Sequence, residues 1–211
     1  MIKALIFDFD GVLGSSDIPR FRSLKYAAAD VGIDLPNDSI QIMRGRTTLE
    51  FLEIVLSKTQ KKKMDQIINI HTRNFRNKID DLVEPIDTTV SFIKHYSGSK
   101  KLALATMSGR EPIDKLLTKF GIQDKFRTIV CKEDVAKRKP DPEVYLKAID
   151  ELGIQAKDSI VIEDTRLGAE AAILSGAKCY ILLNGLNDKS DFNRMNISGF
   201  ISSQKDLELI G

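Results

Sequence analysis

Two aspartates one residue apart, Asp8 and Asp10, end the apolar run "ALIFDFDG", with glycine directly behind them. On a strand such residues point to one face. An unpaired carboxylate taken out of water is costly, so the pair calls for an opposing charge. Matching chemistry recurs further along: Thr106 ends "KLALAT", Lys139 lies in "RKPDP", and Glu163–Asp164 ends "SIVIED". Brought to one place, these residues would combine several carboxylates with a hydroxyl and an ammonium. Mg²⁺ answers the charge problem, because it takes oxygen ligands and commonly uses one or two carboxylates together with water and substrate phosphate. It would offset the repulsion between Asp8 and Asp164. Phosphate would then be held by the metal, Lys139, Thr106 and backbone N–H groups. Phosphoryl transfer needs chiefly positioning and charge neutralisation. It also needs a nucleophile, and an aspartate can serve by forming an aspartyl-phosphate.

Elements with the right geometry can be read from the pattern. "IKALIF", "KLALAT", "RTIVC", "SIVIED" and "CYILL" are short, nearly continuous apolar runs, as in strands buried on both faces of a parallel sheet. Helical patterns lie between the later ones. "EPIDKLLTKF" sets Ile113, Leu116, Leu117 and Phe120 on one face. "DPEVYLKAIDEL" does so with Val144, Ala148, Ile149 and Leu152, Leu146 lying less centrally, and "TRLGAEAAILSG" ends on Gly176, a C-cap candidate. Alternating strands and helices predict a doubly wound α/β fold with a parallel, Rossmann-like sheet. A weak strand, "GFIS", and a short helix close the chain. Such sheets bind ligands at the C-terminal ends of their strands, where strand order reverses, and there Asp8, Asp10, Thr106, Glu163 and Asp164 would emerge. Residues 15–84 break the rhythm. Helices are expected near 19–31, 37–44, 47–57 and 59–79, with Gly32 ending the first and Pro36–Asn37 opening the second. The domain reading is an α/β core of residues 1–14 and 85–211 with a helical insert at 15–84.

Composition narrows the class. The 211 residues, 42% hydrophobic and 29% charged, fit an ordinary globular chain rather than a disordered one. A net charge of +2 is too small to argue for nucleic acid or an anionic membrane. Cys131 and Cys179 sit at the edges of apolar runs and read as buried, inert thiols. "MIKALIFDFD" meets acid too early for a secretory signal, and no apolar run approaches a membrane span. The expected location is the cytoplasm. Monomer and dimer both stay open.

"DFDGVL", "ATMSGR", "RKPDPEVY" and "IEDTRLGAEAA" resemble, in order, the four motifs of the haloacid dehalogenase superfamily, in its phosphatase-type branch with a helical cap inserted after the first motif. The resemblance runs from residue 2 to about 184. It implies that Asp8 attacks phosphorus, and that Asp10 protonates the leaving oxygen, then activates water, its backbone carbonyl binding Mg²⁺. It implies that Thr106, with Met107 and Ser108 behind it, binds the phosphoryl group and that Lys139 steadies Asp8 and the phosphate. It implies further that Asp164 ligates Mg²⁺ and Glu163 holds a metal-bound water. The family often carries an acidic residue where Ser15 stands and glycine where Arg138 stands. Caps of this family close over the core and set specificity. Gly45, flanked by Arg44 and Arg46, could present cations to an acidic substrate, or merely punctuate helices. Arg110 is a similar candidate. His71 and His95 read as packing or surface residues.

The expected activity is Mg²⁺-dependent hydrolysis of a small phosphorylated metabolite through phospho-Asp8. The nearest alternative is a sugar phosphomutase of the same fold. The mutase pattern has a cap lysine, a glycine and an arginine three residues later, where this chain has Arg44, Gly45 and Thr48. A dehalogenase would need neither Asp10 nor Mg²⁺. A non-catalytic binding module would fit loss of Asp8, Asp10, Lys139 or Asp164, all of which are present.

Overall fold

The structure, a computed structural model, describes residues 1–76, 78–96 and 98–211. The chain opens on β1 (Ala4–Phe7), buried throughout. A run of helices follows: α1 (Asp17–Asp30), α2 (Ile40–Met43), α3 (Thr48–Val55), α4 (Met64–Arg76), α5 (Ile79–Leu82) and α6 (Asp87–His95). Strands and helices then alternate as β2 (Lys101–Ala105), α7 (Arg110–Phe120), β3 (Thr128–Val130), α8 (Glu143–Glu151), β4 (Ser159–Glu163), α9 (Arg166–Leu174) and β5 (Lys178–Leu182). The chain closes with β6 (Gly199–Ile201) and α10 (Gln204–Ile210). It divides into two compact units, residues 1–14 with 85–211, and residues 15–84. Among the described residues no helix is long and apolar enough to cross a membrane.

In the larger unit six parallel strands form one sheet in the order β3-β2-β1-β4-β5-β6. The chain steps outward from β1 to β3, then returns to the other side of β1 as β4. Strand order therefore reverses between β1 and β4, the switch point at which open α/β sheets carry their sites. Pairing of Phe7 with both Leu104 and Ile162 brings the ends of β1, β2 and β4 level. One sheet face, with Ala4, Ile6, Ala103, Val161 and Ile181, packs with Val144, Tyr145 and Ala148 of α8 and with Ala169 and Ala172 of α9. On the opposite face the Phe7 ring lies 6.5 Å from Phe92 of α6. Each fully buried Leu, Ile or Phe side chain contributes about 1.5–3 kcal/mol.

Three expectations need amendment. Leu146 is 44% exposed and Tyr145 fully buried. The buried stripe of α8 runs Val144, Tyr145, Ala148, Ile149 and Leu152, and Leu146 lies a further ~100° round the helix from Tyr145. Helix α6, whose Thr89, Val90, Phe92 and Ile93 are buried, has no counterpart among the helices expected from the sequence. Between 59 and 79 the chain forms a 3-10 turn, Gln60–Lys63, followed by α4. Residue 77, at the end of that expected helix, lies outside the described residues.

The smaller unit has its own core of Phe21, Leu24, Ala27, Met43, Phe51, Leu52 and Ile67. Thr47 and Glu50 cap α3 reciprocally, Glu50 N–H donating to Thr47 Oγ1 at 3.1 Å and Thr47 N–H to Glu50 Oε2 at 2.8 Å. His71 of α4 is buried, its Nδ1 3.0 Å from Ser23 Oγ and its ring 5.4 Å from that of Phe75. Burial, with the Arg20 charge adding to it, lowers its pKa from 6.5 to about 4. A folded pKa below the unfolded one means that the unfolded chain binds the extra proton. The stabilisation is therefore complete above pH 6.5 and is lost as pH falls through about 4, a loss on the order of 3 kcal/mol. Calorimetric melting temperatures of His71→Asn and the wild type should converge over that window. Parallel pH profiles would remove His71 as the cause.

Candidate active site

β1 continues past its last paired residue, with Asp8 N–H donating to Ile162 O at 3.0 Å. This holds the Asp8 carboxylate at the sheet's C-terminal edge. The chain then turns tightly, the N–H groups of Val12, Leu13 and Gly14 all donating to Phe9 O. Gly11 is required in this turn, because its φ is +77° and a Cβ there would lie 2.0 Å from Asp164 Oδ2. β2 delivers Thr106 in the same way, its N–H donating to Val130 O at 2.9 Å. Thr106 Oγ1 accepts from Ser108 N–H at 3.1 Å, and Ser108 Oγ donates to Asp10 Oδ2 at 2.5 Å. β4 ends on Glu163, followed by Asp164, both buried.

Lys139, from the segment before α8, closes the group. Its Nζ donates to Asp8 Oδ1 at 2.9 Å and to Glu163 Oε1 at 2.6 Å, and lies 4.7 Å from the centre of the Tyr145 ring. The Tyr145 hydroxyl also donates to Glu163 Oε1, at 2.6 Å. Glu163 Oε2 accepts from the N–H groups of Asp164 and Thr165 and from Thr165 Oγ1, at 2.9, 3.2 and 3.1 Å. Thr165 in turn caps α9 through Gly168 N–H. Gly168 has no room for a side chain, since a Cβ would lie 1.8 Å from Glu163 Oε1. Both Glu163 oxygens are thus fully engaged by the protein.

The electrostatics follow from burial. Burial pushes the Asp8 carboxyl well above the ordinary range, with Glu163 and Asp10 adding to the rise and Lys139 opposing it. For Glu163 burial acts upward too, but the Lys139 charge and the bonds from Lys139, Tyr145 and Asp164 N–H outweigh it and hold the carboxylate low. Lys139 is desolvated as well, yet Asp8 and Glu163 keep it firmly protonated. The cysteines are buried and play no part in this group. Burial pushes the Cys131 thiol up to about 12 and that of Cys179 upward as well.

The donor set fits a divalent cation. Asp8, Glu163 and Asp164 each bring a carboxylate oxygen within 4.8 Å of the others. Three buried carboxylates against one buried ammonium leave an excess of two negative charges, the charge that Mg²⁺ would balance. Asp164 Oδ2 accepts from Asn184 Nδ2 at 2.9 Å, while its Oδ1 is buried with no hydrogen bond among the described residues.

The remaining candidates have partners of their own. Arg110 donates through one guanidinium nitrogen to Ile129 O at 2.9 Å and to Asp134, whose Oδ2 also accepts from Cys131 N–H. That ties the start of α7 to the loop after β3. The Met107 side chain packs against the apolar core. In the smaller unit Arg44 is buried and its Nε donates to Asp17 Oδ2 at 3.1 Å. Arg46 donates to Ile42 O at 2.8 Å. His95 is exposed, with its Nδ1 2.9 Å from Ser91 O. Sequence reasoning missed three residues that touch the group: Tyr145, Asn184 and Asn187. The available signal was an amide directly after the apolar run "CYILL", at the sheet edge that carries the aspartates.

A parallel α/β core with carboxylates and a lysine gathered at its switch point, and a helical unit inserted after the first strand, defines a class of hydrolase fold. The chain belongs to the haloacid dehalogenase-like hydrolase family, whose sequence model matches residues 5–182. It is 28% identical to the phosphorylated carbohydrates phosphatase of Thermotoga maritima, over 89% of this chain and 88% of that one. It is also 28% identical to the beta-phosphoglucomutase of Bacillus subtilis, over 83% of this chain and 80% of that one. Its fold matches that of a haloacid dehalogenase-like family hydrolase from Streptococcus pneumoniae with a TM-score of 0.86 at 18% identity, covering 99% and 98% of the two chains.

Proposed function

We propose that this protein is a Mg²⁺-dependent phosphatase that hydrolyses a small phosphomonoester through phospho-Asp8. The observation that carries the reading is the meeting of Asp8, Asp164, Glu163 and Lys139 at the switch point, with a charge balance that calls for a divalent cation. Asp8 and Asp164 would hold the cation, which, when bound, supplies charge neutralisation to the phosphoryl group. Asp8 is the nucleophile, oriented by Lys139. Glu163, with both oxygens engaged, serves as the fixed counter-charge of Lys139. Thr106 and Ser108 lie beside the acids and offer hydroxyls to a phosphoryl group. Asp10 gives a proton to the departing oxygen, and later takes one from the water that attacks phospho-Asp8. The two buried free cysteines suit a reducing compartment, and we place the protein in the cytoplasm.

A sugar phosphomutase is the second reading, favoured by the resemblance to beta-phosphoglucomutase. Against it stands Thr48 at the position of the mutase arginine. In addition, Arg44, at the position of the mutase lysine, is held in an ion pair with Asp17.

Phosphate release should be measured across phosphorylated metabolites with Mg²⁺, each compared by kcat/KM. At least one sugar or short-acid phosphate is expected to be hydrolysed. EDTA should silence that activity and Mg²⁺ restore it. Transfer of phosphate between positions of one sugar, without net release, would replace the phosphatase by the mutase. Activity indifferent to both EDTA and Mg²⁺ would end the cation reading.

A further inference from the structure

Asn184 follows β5 at the sheet edge that carries the acids, and every hydrogen-bonding group of its carboxamide is used. Its Oδ1 accepts from Leu186 N–H at 3.0 Å. Its Nδ2 donates to Gly11 O at 2.8 Å and to Asp164 Oδ2 at 2.9 Å. This set admits one orientation of the amide, because turning it over would face its oxygen against a carbonyl and a carboxylate. Asn187 completes the loop. Its Oδ1 accepts from Asn184 N–H at 3.2 Å, and its Nδ2 donates to Asp164 O at 2.8 Å and to Leu182 O at 3.0 Å. Asp164 is therefore gripped at its carboxylate by Asn184 and at its backbone by Asn187. The approach depends on Gly11, where a Cβ would lie 3.0 Å from Asn184 Nδ2.

The geometry points to Asn184 as a positioning residue of the cation site: it fixes the Asp164 carboxylate and ties it to the turn that presents Asp8. This rests on the proposed assignment of Asp164 to the cation. Two features of the contact fit the role. The donor is a neutral amide, so it orients the carboxylate without offsetting the charge that a cation needs, as a lysine would. It also joins the exits of β1 and β4, the strands that bring Asp8 and Asp164, so that the two acids are set relative to each other before a cation arrives.

The test is direct Mn²⁺ binding to the metal-stripped full chain, by calorimetry or electron paramagnetic resonance, alongside the Mg²⁺ dependence of phosphate release. Asn184→Ala is expected to raise the Mn²⁺ Kd and the Mg²⁺ half-saturation concentration about 10–100-fold, with kcat at saturating Mg²⁺ close to that of the wild type. Asn184→Ser, which keeps a short polar group, should move both in the same direction and replaces the alanine variant if that unfolds. Asp188→Ala is the control: Asp188 Oδ1 accepts from Ser190 N–H at 2.6 Å and its N–H donates to Asp191 Oδ2 at 2.9 Å, so the substitution loosens the turn that follows the loop. It is expected to lower Tm and leave the Mn²⁺ Kd within about threefold of the wild type. An Asn184→Ala Kd equal to the wild-type value overturns the inference, and so does Asp188→Ala weakening Mn²⁺ as much as Asn184→Ala. In both cases the wild type still binds Mn²⁺ and the phosphatase reading stands. A wild type that binds no Mn²⁺ overturns the cation reading together with this inference.

Discussion

Asp8→Asn is expected to reduce phosphate release to the uncatalysed background while the protein stays folded. Uncatalysed hydrolysis of phosphate monoesters is among the slowest reactions known, so a protein that can only bind the substrate gives no measurable turnover. An amide oxygen is a poor nucleophile, and the other residues at the site have different work. Asp10 is engaged by Ser108, Glu163 by Lys139 and Tyr145, and Asp164 by Asn184. Stability should move the other way. The substituted amide retains an oxygen acceptor for the Lys139 ammonium now 2.9 Å from Asp8 Oδ1. The substitution also removes a charge that burial, Glu163 and Asp10 all disfavour. Without metal, the Tm of Asp8→Asn should therefore equal or exceed that of the wild type. Rapid-quench mass spectrometry should find phosphate on the Asp8 peptide of the wild type and none in the variant. Turnover near the wild-type rate in Asp8→Asn would show that the nucleophile is another group.

The residues that sequence reasoning brings together are those at strand ends. Asp8, Thr106 and Asp164 each follow an apolar run, and in a parallel sheet such ends lie on one edge, so spacing along the chain becomes proximity in space. The supporting contacts obey no such period. Asn184 reaches Gly11 across 173 residues from an irregular loop, and nothing in the order of residues specifies its amide orientation. Tyr145 reads as one more apolar residue of α8 until its hydroxyl is seen on Glu163. Arg110 and Arg44 show the converse. From the sequence each is a cation near a motif. In the structure Arg110 is bound to Asp134 and Ile129 O, and Arg44 to Asp17, partners that a single sequence does not reveal. Leu146 fails for a simpler reason: a two-residue slip along a helix carries a side chain from the core to solvent.

Asp10 offers the second decisive test, because its proposed role predicts a dependence on the leaving group. Ser108 Oγ donates to Asp10 Oδ2 at 2.5 Å, which orients the carboxyl, and Asp10 lies near enough to Asp8 for its charge to raise the Asp8 pKa. A positioned acid or base contributes about 10²–10⁴ in rate, so Asp10→Asn should slow hydrolysis of a sugar phosphate by about that factor. An aryl phosphate with an acidic phenol needs no proton to depart, so its first step should survive the substitution. Its second step should not, because attack of water on phospho-Asp8 still wants a base. The variant should then release about one equivalent of phenol per protein in a burst and stall with phosphate on Asp8. Stopped-flow absorbance reads the burst and quenched mass spectrometry the trapped phosphate. Equal slowing of alkyl and aryl substrates without a burst would assign Asp10 to orienting the site rather than to proton transfer. An unchanged rate on both would remove it from the reaction.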